Sequence, residues 1–225
     1  MARKKSKIEQ WWMAAFLLVE AVLYTLILTG QWVVYAQNTS VCLSVLYVLL
    51  HLRKANYYIL GGLLCTAAAD WFLVVKGGAD KTTAMLFFLG AQLLYAVQLH
   101  RRARSRQMVV VRFLLTVILV ALTVVVMNGH PDLLAVVSVC YYANLFVNVL
   151  SAFRSHRKDW MMPWALVLFL ICDTFIGLQV ASGGYLPIAE GGLLYRIIFC
   201  PFNVAWACYL PSQVLIALYG RHNRR

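Results

Sequence analysis

Long apolar stretches separated by short polar segments extend along almost the whole chain. Their residues are apolar continuously and not at alternate positions, which favours membrane-spanning helices over a barrel. The pattern predicts eight spans, at residues 11–30, 34–52, 57–75, 84–99, 108–127, 133–153, 161–180 and 197–219. We therefore expect an all-α integral membrane protein, an eight-span helical bundle in which residues 1–225 form one transmembrane domain.

Basic residues mark the ends of these spans. With both termini inside, all but three of the 20 lysines and arginines lie on one side of the membrane or at its edge, the exceptions being Lys76, Lys81 and Arg196. Because cytoplasmic loops carry an excess of Lys and Arg, this asymmetry predicts cytoplasmic N- and C-termini. Arg112 lies one turn inside its span and is expected to snorkel to the interface.

The composition narrows the class of protein further. Hydrophobic residues make up 63% of the chain and charged residues 12%, about half the charged share of a soluble domain. The net charge of +12 is accounted for by the loops, so we expect no nucleic-acid partner. All six cysteines fall in apolar runs and the five histidines at span ends or in loops, so we expect no metal site and no cofactor.

Two aspartates lie inside apolar runs. Asp70 and Asp173 each begin an Asp-x-Phe-(Leu/Ile) sequence, and a Gly-Gly pair follows each one. A charge inside a membrane costs roughly 2.5–3.5 kcal/mol on insertion scales, which makes such an acid a candidate for function. The predicted orientation puts both acids at similar depth, about 7–10 Å below the outer surface. The two copies suggest a parallel four-plus-four repeat that relates spans 3–4 to spans 7–8.

Two carboxyls that face one low-dielectric site cannot both ionise cheaply. We expect them to share a proton, so that one can donate a proton while the other stabilises a developing cation. This is the arrangement that hydrolyses acetal-like bonds through an oxocarbenium ion. The alternative is structural, with each aspartate hydrogen-bonded to a neighbouring helix.

Other polar residues within the spans are candidates for lining a substrate cavity. Those that lie in the same span share one face of it, and each can alternatively serve as an interhelical hydrogen-bond partner. The candidates are Gln92, Tyr95, Tyr141, Asn144, Asn148, Tyr209 and Gln213, together with the third intramembrane acid, Glu20.

Four short motifs resemble those of the YhhN-like lysoplasmalogenase family. Residues 62–73, GLLCTAAADWFL, are similar to the family's G-L-L-F-S-x-x-G-D-x-x-L, and residues 167–173, VLFLICD, to its L-L-F-L-L-S-D. The sequences GAQLLY at 90–95 and YLPSQ at 209–213 resemble its span 4 and terminal motifs more loosely. Three positions depart from the family pattern: Gln92 replaces the usual His, Cys172 a Ser and Ala69 a Gly.

The resemblance implies an eight-span enzyme that hydrolyses the vinyl ether bond of lysoplasmalogens. The expected substrate is a lysophospholipid taken from among the membrane lipids, with Asp70 and Asp173 as catalytic residues and a bacterial inner or plasma membrane as the location. Two alternatives remain open: a non-catalytic lipid-binding or structural protein of the same fold, which the loss of the His at position 92 favours, and a proton-coupled transporter.

Overall fold

The computed structural model describes residues 7–51, 55–78, 80–155, 159–183, 191–199 and 204–222. Within these ranges every regular element is a helix, which confirms the all-α prediction. The helices are α1 (Lys7–Leu28), α2 (Val33–Leu49), α3 (Tyr57–Asp70), α4 (Lys81–Ala103), α5 (Arg106–Val126), α6 (Leu133–Ser155), α7 (Met161–Ser182), α8 (Leu193–Ile198) and α9 (Val204–His222). A π-helical segment, Trp71–Val75, continues α3.

Six of the described helices are long and apolar enough to cross a membrane: α1, α3 with its π-helical end, α4, α5, α6 and α7. The protein is therefore a multi-pass membrane protein. Helix α2 is apolar but has only 17 residues, and α9 is not among the six. The eight-span count, the orientation and the repeat stay predictions.

Two predicted boundaries differ from the observed helices. The last predicted span, 197–219, is not one helix in the described residues, because α8 ends at Ile198 and α9 begins at Val204. Helix α4 extends to Ala103 and not to residue 99, and its last turn contains His100, Arg101 and Arg102. Cationic side chains there interact favourably with the helix dipole, so a charged sequence prolongs this helix instead of ending it.

Helix α9 lies at the centre of the bundle, where it packs against α1, α2, α3 and α7. Helix α4 packs between α3 and α6, whereas α5 packs against α6 alone among the described helices. None of the residues of α5 is buried, so this helix presents most of its surface to lipid. The interior contains polar side chains with almost no exposed surface, including Gln37, Gln92 and Asn148, as expected for a bundle held by interhelical hydrogen bonds.

Short polar side chains fix where several helices begin. The side-chain oxygen of Asn56 accepts hydrogen bonds from the backbone N–H groups of Tyr58 and Ile59 at the start of α3. Asp80 accepts one from the Thr83 backbone at the start of α4, and Asp132 one from the Ala135 backbone at the start of α6. Such caps satisfy backbone donors that a helix leaves unpaired. The cap at Asn56 fixes the start of the helix that carries Asp70.

Candidate functional site

Asp70 is the last residue of α3 before the π-helical segment. Its side chain is 2% exposed, and it accepts a hydrogen bond of 2.5 Å from the Tyr209 hydroxyl of α9. The amide of Gln37, on α2, faces the same carboxyl without a hydrogen bond of its own. Widened π-helical turns inside α-helices occur frequently at functional sites, and this one follows directly after the buried acid.

Asp173 lies within α7 and is half-buried. It accepts a hydrogen bond from the Tyr141 hydroxyl of α6. The next residue, Thr174, makes a second link to α6 through a 2.8 Å hydrogen bond with the Tyr142 hydroxyl. The contact between α6 and α7 therefore fixes the carboxyl of Asp173 against a phenol, as the contact between α3 and α9 fixes that of Asp70.

The two acids lie in one cluster. Asp70 and Asp173 are close enough for their charges to interact, and each tyrosine interacts with both acids. Two phenylalanines fill the space between the tyrosines. The Phe88 ring lies 5.7 Å from that of Tyr141 and 6.2 Å from that of Phe169, which in turn lies 5.6 Å from Tyr209. We call Asp70, Asp173, Tyr141 and Tyr209 the acid cluster.

The acid cluster combines two carboxyls with two fixed O–H donors in an apolar surrounding. A phenol occupies one oxygen of each carboxyl, whereas a carboxylate has about four acceptor positions. Two ionised carboxylates whose charges interact in a low-dielectric interior repel each other, so sharing one proton lowers the energy of the pair. The arrangement can deliver a proton and stabilise a nearby cation, which is what general acid catalysis with an ionised partner requires.

A second buried network surrounds Arg112. The expectation that Arg112 snorkels to the interface is wrong, because its guanidinium turns inward and donates to Asn144 at 2.7 Å and to Asn148 at 2.8 Å. The Asn148 amide donates to the main-chain and side-chain oxygens of Gln92 at 2.8 and 2.9 Å. The Asn144 amide donates to the Cys140 carbonyl oxygen. We call Arg112, Asn144, Asn148 and Gln92 the arginine network.

The remaining three candidates do not hydrogen-bond to either group. Tyr95 is fully buried against Gly62 of α3, where an added Cβ would overlap its ring. The Gln213 amide donates to the Ser212 hydroxyl. Glu20 accepts a 2.6 Å hydrogen bond from Ser40 of α2, which corresponds to the structural alternative for this acid. The structure thus separates the ten candidates into the acid cluster, the arginine network and residues with local contacts.

Sequence reasoning missed Gln37 and misplaced Arg112. Gln37, Ser40 and Ser44 recur at i, i+3 and i+7 along α2, and all three are buried. The same spacing singled out Tyr141, Asn144 and Asn148 on α6, so the polar face of α2 could have been predicted from the sequence in the same way. For Arg112 there was no comparable signal, because a position near a helix end is compatible with either direction of the side chain.

The sequence pattern of the YhhN family matches residues 31–219. The chain belongs to the YhhN family. Comparisons with curated proteins and with solved structures give no match. The matched region includes every residue of the acid cluster and of the arginine network, whereas Glu20 lies outside it. YhhN membership is consistent with a hydrolase of the lysoplasmalogenase type.

Proposed function

We propose that this YhhN protein is a membrane lysoplasmalogenase-type hydrolase that cleaves the vinyl ether bond of lysoplasmalogens. The observation that carries the proposal is the meeting of Asp70, which is buried, and Asp173, which is half-buried, in one cluster with a phenol bound to each. A bundle that needed only interhelical hydrogen bonds has no reason to place two acidic groups together, because ionising both is costly in an apolar interior. The bacterial plasma membrane remains the expected location.

The proposed reaction begins with proton transfer from one carboxyl to the β-carbon of the vinyl ether. This leaves an oxocarbenium ion at the carbon bonded to oxygen, which the other, ionised carboxylate stabilises. Water adds to that carbon and loses a proton to the carboxylate. In the resulting hemiacetal the C–O bond to the glycerol breaks while the hemiacetal hydroxyl gives up its proton and the glycerol oxygen takes one from the protonated carboxyl. The products are a fatty aldehyde and a glycerophospho-base.

The tyrosines act as positioning residues in this scheme. Each hydroxyl holds one carboxyl in a fixed orientation, and the two phenylalanines between the tyrosines make the surroundings of the acids apolar. A fixed site in apolar surroundings strengthens the interaction between the carboxylate and the developing cation. Gln92, which stands where the family has a His, bonds to Asn148 in the arginine network, so the proposed chemistry does not depend on a titratable group at that position.

The test is aldehyde release by purified protein in D₂O, with a lysoplasmalogen beside an acyl lysolipid of the same chain length. We expect aldehyde from the lysoplasmalogen alone, carrying one deuterium on the carbon next to the carbonyl, because protonation of the β-carbon forms that bond. Aldehyde without deuterium would contradict the mechanism. A failure to release aldehyde from any lysoplasmalogen would favour the non-catalytic lipid-binding alternative.

A further inference from the structure

A cleft separates α4 from α5 on the side of the molecule where the two helices are joined. Although only Arg104 and Ser105 lie between these helices, α5 packs against α6 and not against α4. The cleft has a volume of about 250 Å³ and is lined by apolar side chains of both helices, including Val97, Met108 and Val109. A groove of this kind, open to the lipid-facing surface, suits a hydrocarbon chain.

The mouth of the cleft is basic. It is a cavity of about 760 Å³ lined by His100, Arg101, Arg102, Arg104, Arg106 and Ser155. His100 and Arg101 line the cleft as well, so the two spaces adjoin. Among the described residues, no acidic side chain lines either of them. A volume of this size is within the roughly 300–1,000 Å³ range of small-molecule sites. The positive charge of the arginines that line it favours an anionic ligand.

The arginines of the mouth divide into two kinds. Arg101 donates to the Tyr58 hydroxyl at 2.9 Å, and the guanidinium of Arg102 lies 5.4 Å from the Tyr219 ring centre. Arg104 and Arg106 are exposed, and no carboxylate within the described part of the chain pairs with them. Arg104 also has a left-handed backbone with a φ of 45°, a conformation that favours Gly or Asn.

The floor of the cleft carries polar groups. Ser151 of α6 lines it with a side chain that is 5% exposed and whose hydroxyl has no hydrogen-bond partner among the described residues. Arg112 lines the same floor. A buried hydroxyl without a partner is costly, and buried polar groups in native structures normally have one. The floor is therefore suited to a ligand that brings an oxygen atom to this depth.

We propose that the mouth and the cleft together bind an anionic phospholipid of the surrounding bilayer. The phosphate lies among Arg101, Arg104 and Arg106, one acyl chain follows the apolar groove, and an oxygen of the glycerol linkage reaches Ser151. A free phosphate would leave the groove empty, and no described residue that lines the two spaces offers a carboxylate to the cation of a zwitterionic headgroup. Basic pockets between membrane helices are known sites for anionic headgroups.

This site is distinct from the acid cluster. Phe88 packs within the acid cluster on α4, whereas the mouth begins twelve residues further along the same helix at His100, which corresponds to about 18 Å. With the predicted orientation the mouth faces the cytoplasmic leaflet, the anionic one. A lipid bound there joins α4 to α5 and stabilises the fold, independently of any reaction at the acids.

The test measures lipid binding to the purified full-length protein in detergent, by thermal unfolding and by native mass spectrometry. Dioleoylphosphatidylglycerol, dioleoylphosphatidylcholine and inorganic phosphate are the three probes. We expect the phosphatidylglycerol alone to raise the midpoint of unfolding and to remain bound in the spectrometer. Replacing Arg104 and Arg106 together with Gln is expected to weaken its binding roughly 30-fold, from about 1 kcal/mol for each basic residue near an anionic lipid.

The matched control is the double replacement of Lys76 and Lys81 with Gln, which removes the same charge at the other end of the predicted spans. Phosphatidylglycerol binding is expected to persist in this variant. Equal binding of the two lipids, an equal effect of inorganic phosphate, or an equal loss in the control and the arginine variant would each overturn the proposal. So would undiminished phosphatidylglycerol binding after the arginine replacement. Native mass spectrometry counts bound lipid on folded protein, so a loss of stability alone does not mimic the expected result.

Discussion

The acid cluster and the arginine network both take side chains from one face of α6. Tyr141 binds Asp173, and Asn144, one turn further on, binds Arg112. The arginine network contains one charge, and three amides meet that charge or one another. The acid cluster contains two carboxyls, which cannot both ionise cheaply, and only one phenol for each. A network whose groups are largely satisfied holds helices together, whereas a crowded and incompletely bonded one retains the capacity to react.

The largest expected effect comes from removing either acid. Asp70→Asn and Asp173→Asn are each expected to lower aldehyde release 10²–10⁴-fold, the range typical for loss of a general acid or base. Asn retains the shape and accepts the same phenol hydrogen bond, so folding should persist. The measurement is aldehyde release and thermal unfolding on one preparation. Wild-type turnover in either variant would place the acid cluster with the structural networks.

A smaller effect is expected from removing the phenols. Tyr209→Phe and Tyr141→Phe each delete one hydrogen bond to a carboxyl, a bond to a charged group worth about 1.5–3 kcal/mol, or roughly 10–100-fold in rate. Aldehyde release as a function of pH and substrate concentration measures it. Because the phenols position the acids, the pH profile of turnover should shift as well. A fall in stability with an unchanged profile would show that they only support packing.

A substitution in the arginine network should lower the stability of the protein and leave its catalytic turnover unchanged. Asn148→Leu leaves Gln92 and one donor of Arg112 without a partner, so the free energy of unfolding should fall by about 1–3 kcal/mol. Turnover per folded molecule should stay near that of the parent protein. Unfolding in denaturant and an active-fraction assay separate the two quantities. A loss of turnover without a loss of stability would extend the functional site into this network.

The smallest effect is expected at Glu20, the third buried acid. Glu20→Gln keeps the length of the side chain and an oxygen that accepts a hydrogen bond from Ser40. Glu20 is hydrogen-bonded neither to the acid cluster nor to the arginine network. We expect aldehyde release within about twofold of the parent and a change in stability within roughly 0.5 kcal/mol, the range of mild substitutions. The same paired assay measures both. A loss as large as that of the aspartate variants would show that any buried acid is required, and not the acid cluster in particular.

The helical class, six of the spans and the family were accessible from the sequence. Continuous apolar runs predict membrane helices because the bilayer requires each one to satisfy its own backbone hydrogen bonds. The same environment makes an intramembrane acid costly, which singled out Asp70 and Asp173 without any structure. These are local properties, each decided by a residue and the few turns around it.

Tertiary structure decided which polar groups meet. The apolar residues of α7 are spread over all faces of the helix. The sequence therefore has no periodicity that predicts which way Asp173 faces. The pairing of Asp70 with Tyr209 joins residues 139 positions apart, and that of Arg112 with Asn148 depends on the rotation of the peripheral helix α5 against α6. Helix rotation and neighbour choice follow from packing over whole surfaces. For that reason the charged residues could be read from the sequence, and only the folded bundle showed that the two acids meet each other and that Arg112 meets the amides of α6.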